Sequence, residues 1–288
     1  MSSSPQKSSC HQECIKGSIH AGLPIGAEEQ IHGLNTYVVG NKTDPKAIIV
    51  VYSDIFGLPL PNNKLICDSY AKNGDYLVYM PDFFKGDPVP LKVADVLLPV
   101  DASKQSLLGK YGGMLASAPS LLLWMRRHTF EQTEADCMSF LKALRLATPQ
   151  STKIGMVGFC WGGRFALRAG LESNMVEKDG KKIGLIDAIV ALHPSFLSIP
   201  DDVKYMVVPA SYGWGLKDEG VPYQNKAKVE EAHEEAKKEG KQVPEMDHQT
   251  YDPGRHGFAV RGNPEDPIEK KALEDSEQQA LDFFKKYL

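Results

Sequence analysis

The chain is poor in what would send it across a membrane, out to an oxidising compartment or onto a nucleic acid. No run approaches the ~18 consecutive apolar residues of a membrane-spanning helix. The N-terminus, Met1-Ser2-Ser3-Ser4-Pro5-Gln6-Lys7-Ser8-Ser9, lacks the apolar core of a secretory signal. Cysteines number five in 288 residues. An odd, sparse set argues against a disulfide framework, and a cytoplasmic location is the expectation. Excess positive charge is missing too. The formal net charge is −4, which gives no electrostatic case for nucleic acid or an acidic membrane surface. Cys10, His11 and Cys14 stand close together, but no second ligand pair lies near them at a usual spacing. The expectation is therefore no metal, and a polar, partly disordered N-terminal arm over residues 1–19.

What is present suits a large globular domain: 42% of residues are hydrophobic and 24% charged. Residues 20–288 show no internal repeat and no linker that would split them, so one domain is expected. Short β-branched runs alternate with helical patterns. An early strand pair is expected around Gln30–Val39, with His32-Gly33-Leu34-Asn35 as its turn. Strands are predicted at Ala47–Tyr52, Asp75–Met80, Ile154–Phe159, Gly184–Leu192, Tyr205–Tyr212 and Gln249–Tyr251. Helices are predicted at 62–73, 133–147, 164–171, 227–239 and 274–288. Residues 83–128 are less regular and read as an insertion near the site, with Leu121–Met125 an apolar helix or lid segment. Alternation of this kind means a mostly parallel sheet covered on both faces, with functional groups at the carboxyl ends of its strands.

The stretch Gly158-Phe159-Cys160-Trp161-Gly162-Gly163 joins an apolar strand to a helix. Gly-x-nucleophile-x-Gly in that setting is a sharp turn that lifts its central side chain out of the fold and aims free helix N–H groups at it. A buried cysteine in a Gly-rich turn is the plainer reading, and the rest of the chain has to decide. It supplies Asp218 after a later strand and His256 after the last. Nucleophile, acid, histidine is the chain order of the hydrolase fold built on such an elbow. The imidazole takes the thiol proton and the carboxylate fixes the imidazole's tautomer. The N–H groups of Trp161 and Ile55 are the candidate oxyanion donors. His193 also ends a strand. It precedes the acid, which is the wrong order for the base, so contact with substrate or a turn-capping role suits it better.

Together with His256-Gly257-Phe258, Asp54-Ile55-Phe56-Gly57 and Pro81-Asp82-Phe83-Phe84, the elbow resembles the dienelactone hydrolase family, in particular its fungal and animal branch. The resemblance runs from about residue 20 to the end. It implies an α/β-hydrolase fold, a Cys160–Asp218–His256 triad and no metal or organic cofactor. It also implies a thiol-modulating acid in the first loop, where this chain has Asp54 in place of the bacterial Glu. Substrate-carboxylate contacts fall by the same resemblance on Lys85 and Arg261. The expected partner is a small lactone or activated ester, and the protein itself a monomer or homodimer. A broad carboxylesterase or thioesterase, and a non-catalytic binding protein on the same fold, are the alternatives.

Overall fold

The computed structural model describes residues 22–101 and 104–288. The arm expected over residues 1–19, with Cys10, His11 and Cys14, lies outside the described residues.

Eight strands form one sheet in the order β1-β2-β4-β3-β5-β8-β9-β10. They are β1 (Ala27–Ile31), β2 (Leu34–Gly40), β3 (Ile48–Tyr52), β4 (Leu77–Pro81), β5 (Ile154–Phe159), β8 (Ala188–Leu192), β9 (Ala210–Gly215) and β10 (Met246–Tyr251). A separate hairpin pairs β6 (Val176–Lys178) with β7 (Lys181–Ile183). β2 runs antiparallel to β1 and β4, and the other pairs of the sheet are parallel. The middle strands read as unbroken apolar runs because both faces are covered. Every residue of β3, β5 and β8 is buried. The mostly parallel, covered sheet expected from the alternation of elements is present, and it is of the α/β-hydrolase type that the family resemblance implied.

Register then fixes where chemistry can gather. Tyr52 lies opposite Gly158, Phe159 opposite Leu192, Leu192 opposite Gly213, and Gly215 opposite Tyr251. The carboxyl ends of β3, β5, β8, β9 and β10 therefore finish side by side. The residues just beyond them are Asp54 and Ile55, Cys160, His193, Asp218 and His256.

Helices cover the sheet: α1 (Pro61–Gly74), α4 (Phe130–Ala147), α5 (Trp161–Ala169), α6 (Asn225–Lys238), the short α7 (Phe258–Arg261) and α8 (Pro267–Tyr287). Their starts carry ordinary signals. Pro61 opens α1, and the Thr129 hydroxyl accepts the Gln132 N–H at the head of α4. Asp266 accepts from Ile268 and Glu269 ahead of Pro267, so α8 begins before the expected residue 274. The fifth expected strand, Tyr205–Tyr212, is displaced to Ala210–Gly215, because Pro209 has no N–H to give a ladder. The fourth shortens to Ala188–Leu192. The preceding Asp187 side chain is occupied by Arg145, Lys153 and the Ile154 N–H.

The irregular 83–128 segment is more helical than its sequence suggests. It holds α2 (Leu91–Leu97) and α3 (Leu107–Arg127), the latter capped by Ser106. Gly109, Gly112, Gly113 and Pro119 weaken the helical signal. Only Trp124 of α3 is buried, while Leu107, Leu108, Tyr111 and Leu115 are exposed. Trp124 anchors the helix by meeting the Trp161 ring edge-on at 5.2 Å; Phe130 of α4 stacks on Trp161 at 4.6 Å. The Trp124 indole N–H donates to the Asp87 carbonyl. No helix among the described residues is long and apolar enough to cross a membrane.

Candidate active site

Cys160 stands between β5 and α5 with φ 50° and ψ −114°, a backbone conformation an L-residue holds only when its surroundings force it. The flanking glycines are what the turn demands. A Cβ on Gly158 would come within 2.5 Å of the Gly162 carbonyl oxygen, and one on Gly162 within 2.1 Å of the Tyr52 carbonyl oxygen. Neither neighbour is a flexible side-chain end, so any larger residue would push the elbow off the sheet. The Cys160 N–H donates to the Leu192 carbonyl and to Nδ1 of His193, each at 3.1 Å.

His256 Nε2 lies 3.2 Å from Cys160 Sγ. On its other side Nδ1 is 2.9 Å from both carboxylate oxygens of Asp218. Asp218 is itself held, since its Oδ1 accepts the Gly220 and Val221 N–H groups at 2.8 Å. Carboxylate, ring and sulfur thus form one hydrogen-bonded line. Burial works against a charged ring at His256. The charge on the neighbouring sulfur and the Asp218 hydrogen bond outweigh it and hold the imidazole up at about 10. The arrangement favours a protonated ring beside the sulfur.

Two N–H groups belong to residues beside the elbow. Trp161 opens α5, where an N–H has no intrahelical acceptor. Ile55 lies in the turn after β3. Among the described residues neither N–H has an acceptor. A cavity of about 500 Å³ lies over Cys160 and His256. Ile55, Ser195 and Phe196 line it from the strand ends, and Leu97, Leu98, Met114 and Leu121 from the α2–α3 segment.

Several sequence expectations are redirected. Asp54 is buried, and its Oδ1 accepts the Phe56 N–H and the Asn63 amide, both at 3.0 Å. No hydrogen bond among the described residues joins it to Cys160; its hydrogen bonds hold its own turn. Burial pushes its carboxyl up, opposed by those same hydrogen bonds. Lys85 does not line the cavity and pairs with Asp136 at 2.7 Å. Arg261 is buried and pairs with Asp95 at 2.9 Å, also off the cavity. His193 is a layer deeper than substrate would reach. It is 1% exposed and its ring meets His256 edge-on at 5.1 Å. Burial and the neighbouring His256 charge keep it neutral. None of the three lines the cavity over Cys160.

Ser195 escaped the sequence reading. Its hydroxyl lies 3.4 Å from Cys160 Sγ, and its N–H donates to the Cys160 carbonyl. Its one sequence signal is its place two residues past His193, at a strand's carboxyl end. Among the described residues no cluster of His, Cys, Asp or Glu is arranged to hold a metal.

Comparison with known proteins agrees with this architecture. Residues 34–288 match the Dienelactone hydrolase family. The chain is 31% identical over 279 residues to the hydrolase pyvD of Aspergillus violaceofuscus, covering 96% of each. It is 29% identical to Dienlactone hydrolase 1 of Gibberella moniliformis, covering 91% of this chain and 87% of the relative. The crystal structure of a putative dienelactone hydrolase from Klebsiella pneumoniae superposes with a TM-score of 0.58 at 19% identity, covering 91% of this chain and 98% of that one. An elbow at the carboxyl end of a parallel sheet, and relatives that match it nearly end to end, make this chain a carboxylic ester hydrolase that belongs to the dienelactone hydrolase family.

Proposed function

We propose that the protein is a cysteine hydrolase that opens a lactone or cleaves an activated ester through Cys160, Asp218 and His256. The observation that carries this reading is the unbroken line from Asp218 through His256 to a sulfur on a positive-φ elbow.

Each step has a group in place. The Cys160 thiolate attacks the substrate carbonyl, and the new oxyanion lies toward the N–H groups of Trp161 and Ile55. The imidazolium of His256 gives its Nε2 proton to the departing oxygen, and a thioester remains on Cys160. His256, neutral again, takes a proton from water as that water attacks the thioester. The tetrahedral adduct expels the thiolate, the acid product leaves, and the imidazolium is restored.

The nucleophile also limits the leaving group. A tetrahedral adduct of a thiol expels whichever group is the weaker base. A phenol (pKa ~10) competes with a thiol (~8.5), and an enol leaving group falls on the same side, whereas an alkyl alkoxide does not. Enol lactones and aryl esters should therefore turn over faster than alkyl esters.

The test is a panel of enol lactones, aryl esters and thioesters against wild type and the Cys160→Ala and Cys160→Ser variants, with iodoacetamide labelling mapped by mass spectrometry. Selective labelling of Cys160 and loss of turnover in Cys160→Ala are expected. Full activity in that variant overturns the reading.

A further inference from the structure

The surface of the cavity over Cys160 is mostly apolar, and its cations are largely paired with carboxylates. Lys110 pairs with Glu219 at 2.6 Å. Arg255 is held by both oxygens of Glu269 and donates to the carbonyls of Val100 and Arg261. Lys217 is left without an acidic partner among the described residues, and it is exposed. A carboxylate drawn into such a space loses its water and gains no bidentate clamp. A lone exposed ammonium compensates for little of that loss. The apolar wall is continuous instead. Leu97, Leu98, Met114 and Leu121 face Ile55 and Phe196 across about 500 Å³, room for a body of drug-like size. Leu98 also packs beside the histidine loop, 3.2 Å from where a Cβ on Gly257 would stand.

We infer that the substrate is a neutral ester or lactone with a bulky apolar acyl body, and that Leu98 and Met114 set this preference. A small lactone carrying its own carboxylate is the class this cavity disfavours. The inference rests on Cys160 being the nucleophile.

The experiment measures kcat/KM for p-nitrophenyl acetate, butyrate, octanoate and hemisuccinate, each divided by its uncatalysed rate, in wild type and in Leu98→Ala, Met114→Arg, Lys217→Ala and Cys160→Ala. Each buried methylene can strengthen binding by up to about fourfold, so octanoate should exceed acetate by at least about tenfold. Butyrate should exceed hemisuccinate by about tenfold, the loss expected when a charge goes unpaired. Met114 is 42% exposed, so an arginine there is tolerated by the fold. That variant should move the butyrate-to-hemisuccinate ratio toward the anion by about tenfold, the effect of one supplied guanidinium. Leu98→Ala should flatten the dependence on chain length. Wild-type preference for hemisuccinate, lost in Lys217→Ala, overturns the inference and makes Lys217 an anion site. Ratios unmoved by Leu98→Ala and Met114→Arg overturn it as well. Unchanged turnover of all four esters in Cys160→Ala is a different failure, because it removes the nucleophile itself.

Discussion

The elbow and the α2–α3 segment face each other across one cavity and are built on opposite principles. Around Cys160 the packing is close and the side chains are held by hydrogen bonds. The strand beneath is wholly buried, the next turn is hemmed by backbone oxygens, and the sulfur, ring and carboxylate are fixed by hydrogen bonds. Across the cavity α3 buries one residue in 21 and carries several exposed leucines. On the proposed mechanism, bond-making geometry rests on the rigid half, and the shape of the substrate pocket on the half with little packing to lose. Substitutions should accordingly separate into those that abolish chemistry or folding and those that retune selectivity.

The largest separation should come from Cys160→Ala, which should cut aryl-ester turnover by at least about a thousandfold with the fold intact, as removal of a covalent nucleophile does elsewhere. Circular dichroism and the ester assay check both halves of that statement. Next come two glycines. Gly162→Ala sets a methyl against the Tyr52 carbonyl oxygen and should lower stability by about 3 kcal/mol, the upper range for overpacking. Gly112 lies inside α3 with nothing within 4 Å of its missing methyl. Gly112→Ala should raise stability by up to about 1 kcal/mol through helix propensity alone. Urea midpoints measure the two changes, and equal effects would erase the contrast between the halves.

Much of the rigid half was legible in the sequence. Continuous β-branched runs announced the strands, and Gly158 and Gly162 about Cys160 announced the elbow. Asp218 and His256 followed in the chain order the fold requires. The shorter strand boundaries were less legible, because Pro209 and Asp187 act through a missing donor and through side-chain bonds that no periodicity reports. The β6–β7 hairpin went unread although Asp179-Gly180, both at positive φ, is a strong turn pair. The α2–α3 segment hid behind its glycines and Pro119. Lys85, His193 and Arg261 lie off the cavity for another reason. Asp136 and Asp95 capture the two cations, and His193 accepts the elbow's own N–H. Pairing of that kind is decided by distant parts of the chain.

Titration separates the halves less sharply but with definite signs. His256 is raised from 6.5 to about 10, so its contribution to stability is full below pH 6.5 and is lost as pH rises through about 10. Removing the sulfur charge with Cys160→Ala should lower its midpoint, read from the ring proton resonance. His233, buried in α6 with Nε2 on the Val203 carbonyl, is lowered to about 4, chiefly by burial. Its contribution is present above pH 6.5 and lost as pH falls toward 4, on the order of 3 kcal/mol. His233→Gln should flatten that acid limb of the urea midpoint and leave the alkaline one alone.

The central claim, that the acyl group passes through the sulfur of Cys160, is open to direct observation. Wild-type protein mixed with a p-nitrophenyl ester, quenched in acid during turnover and digested, should yield the peptide bearing Cys160 with the mass of one acyl group added. An acyl group found on Ser195, whose hydroxyl lies 3.4 Å from that sulfur, would contradict it.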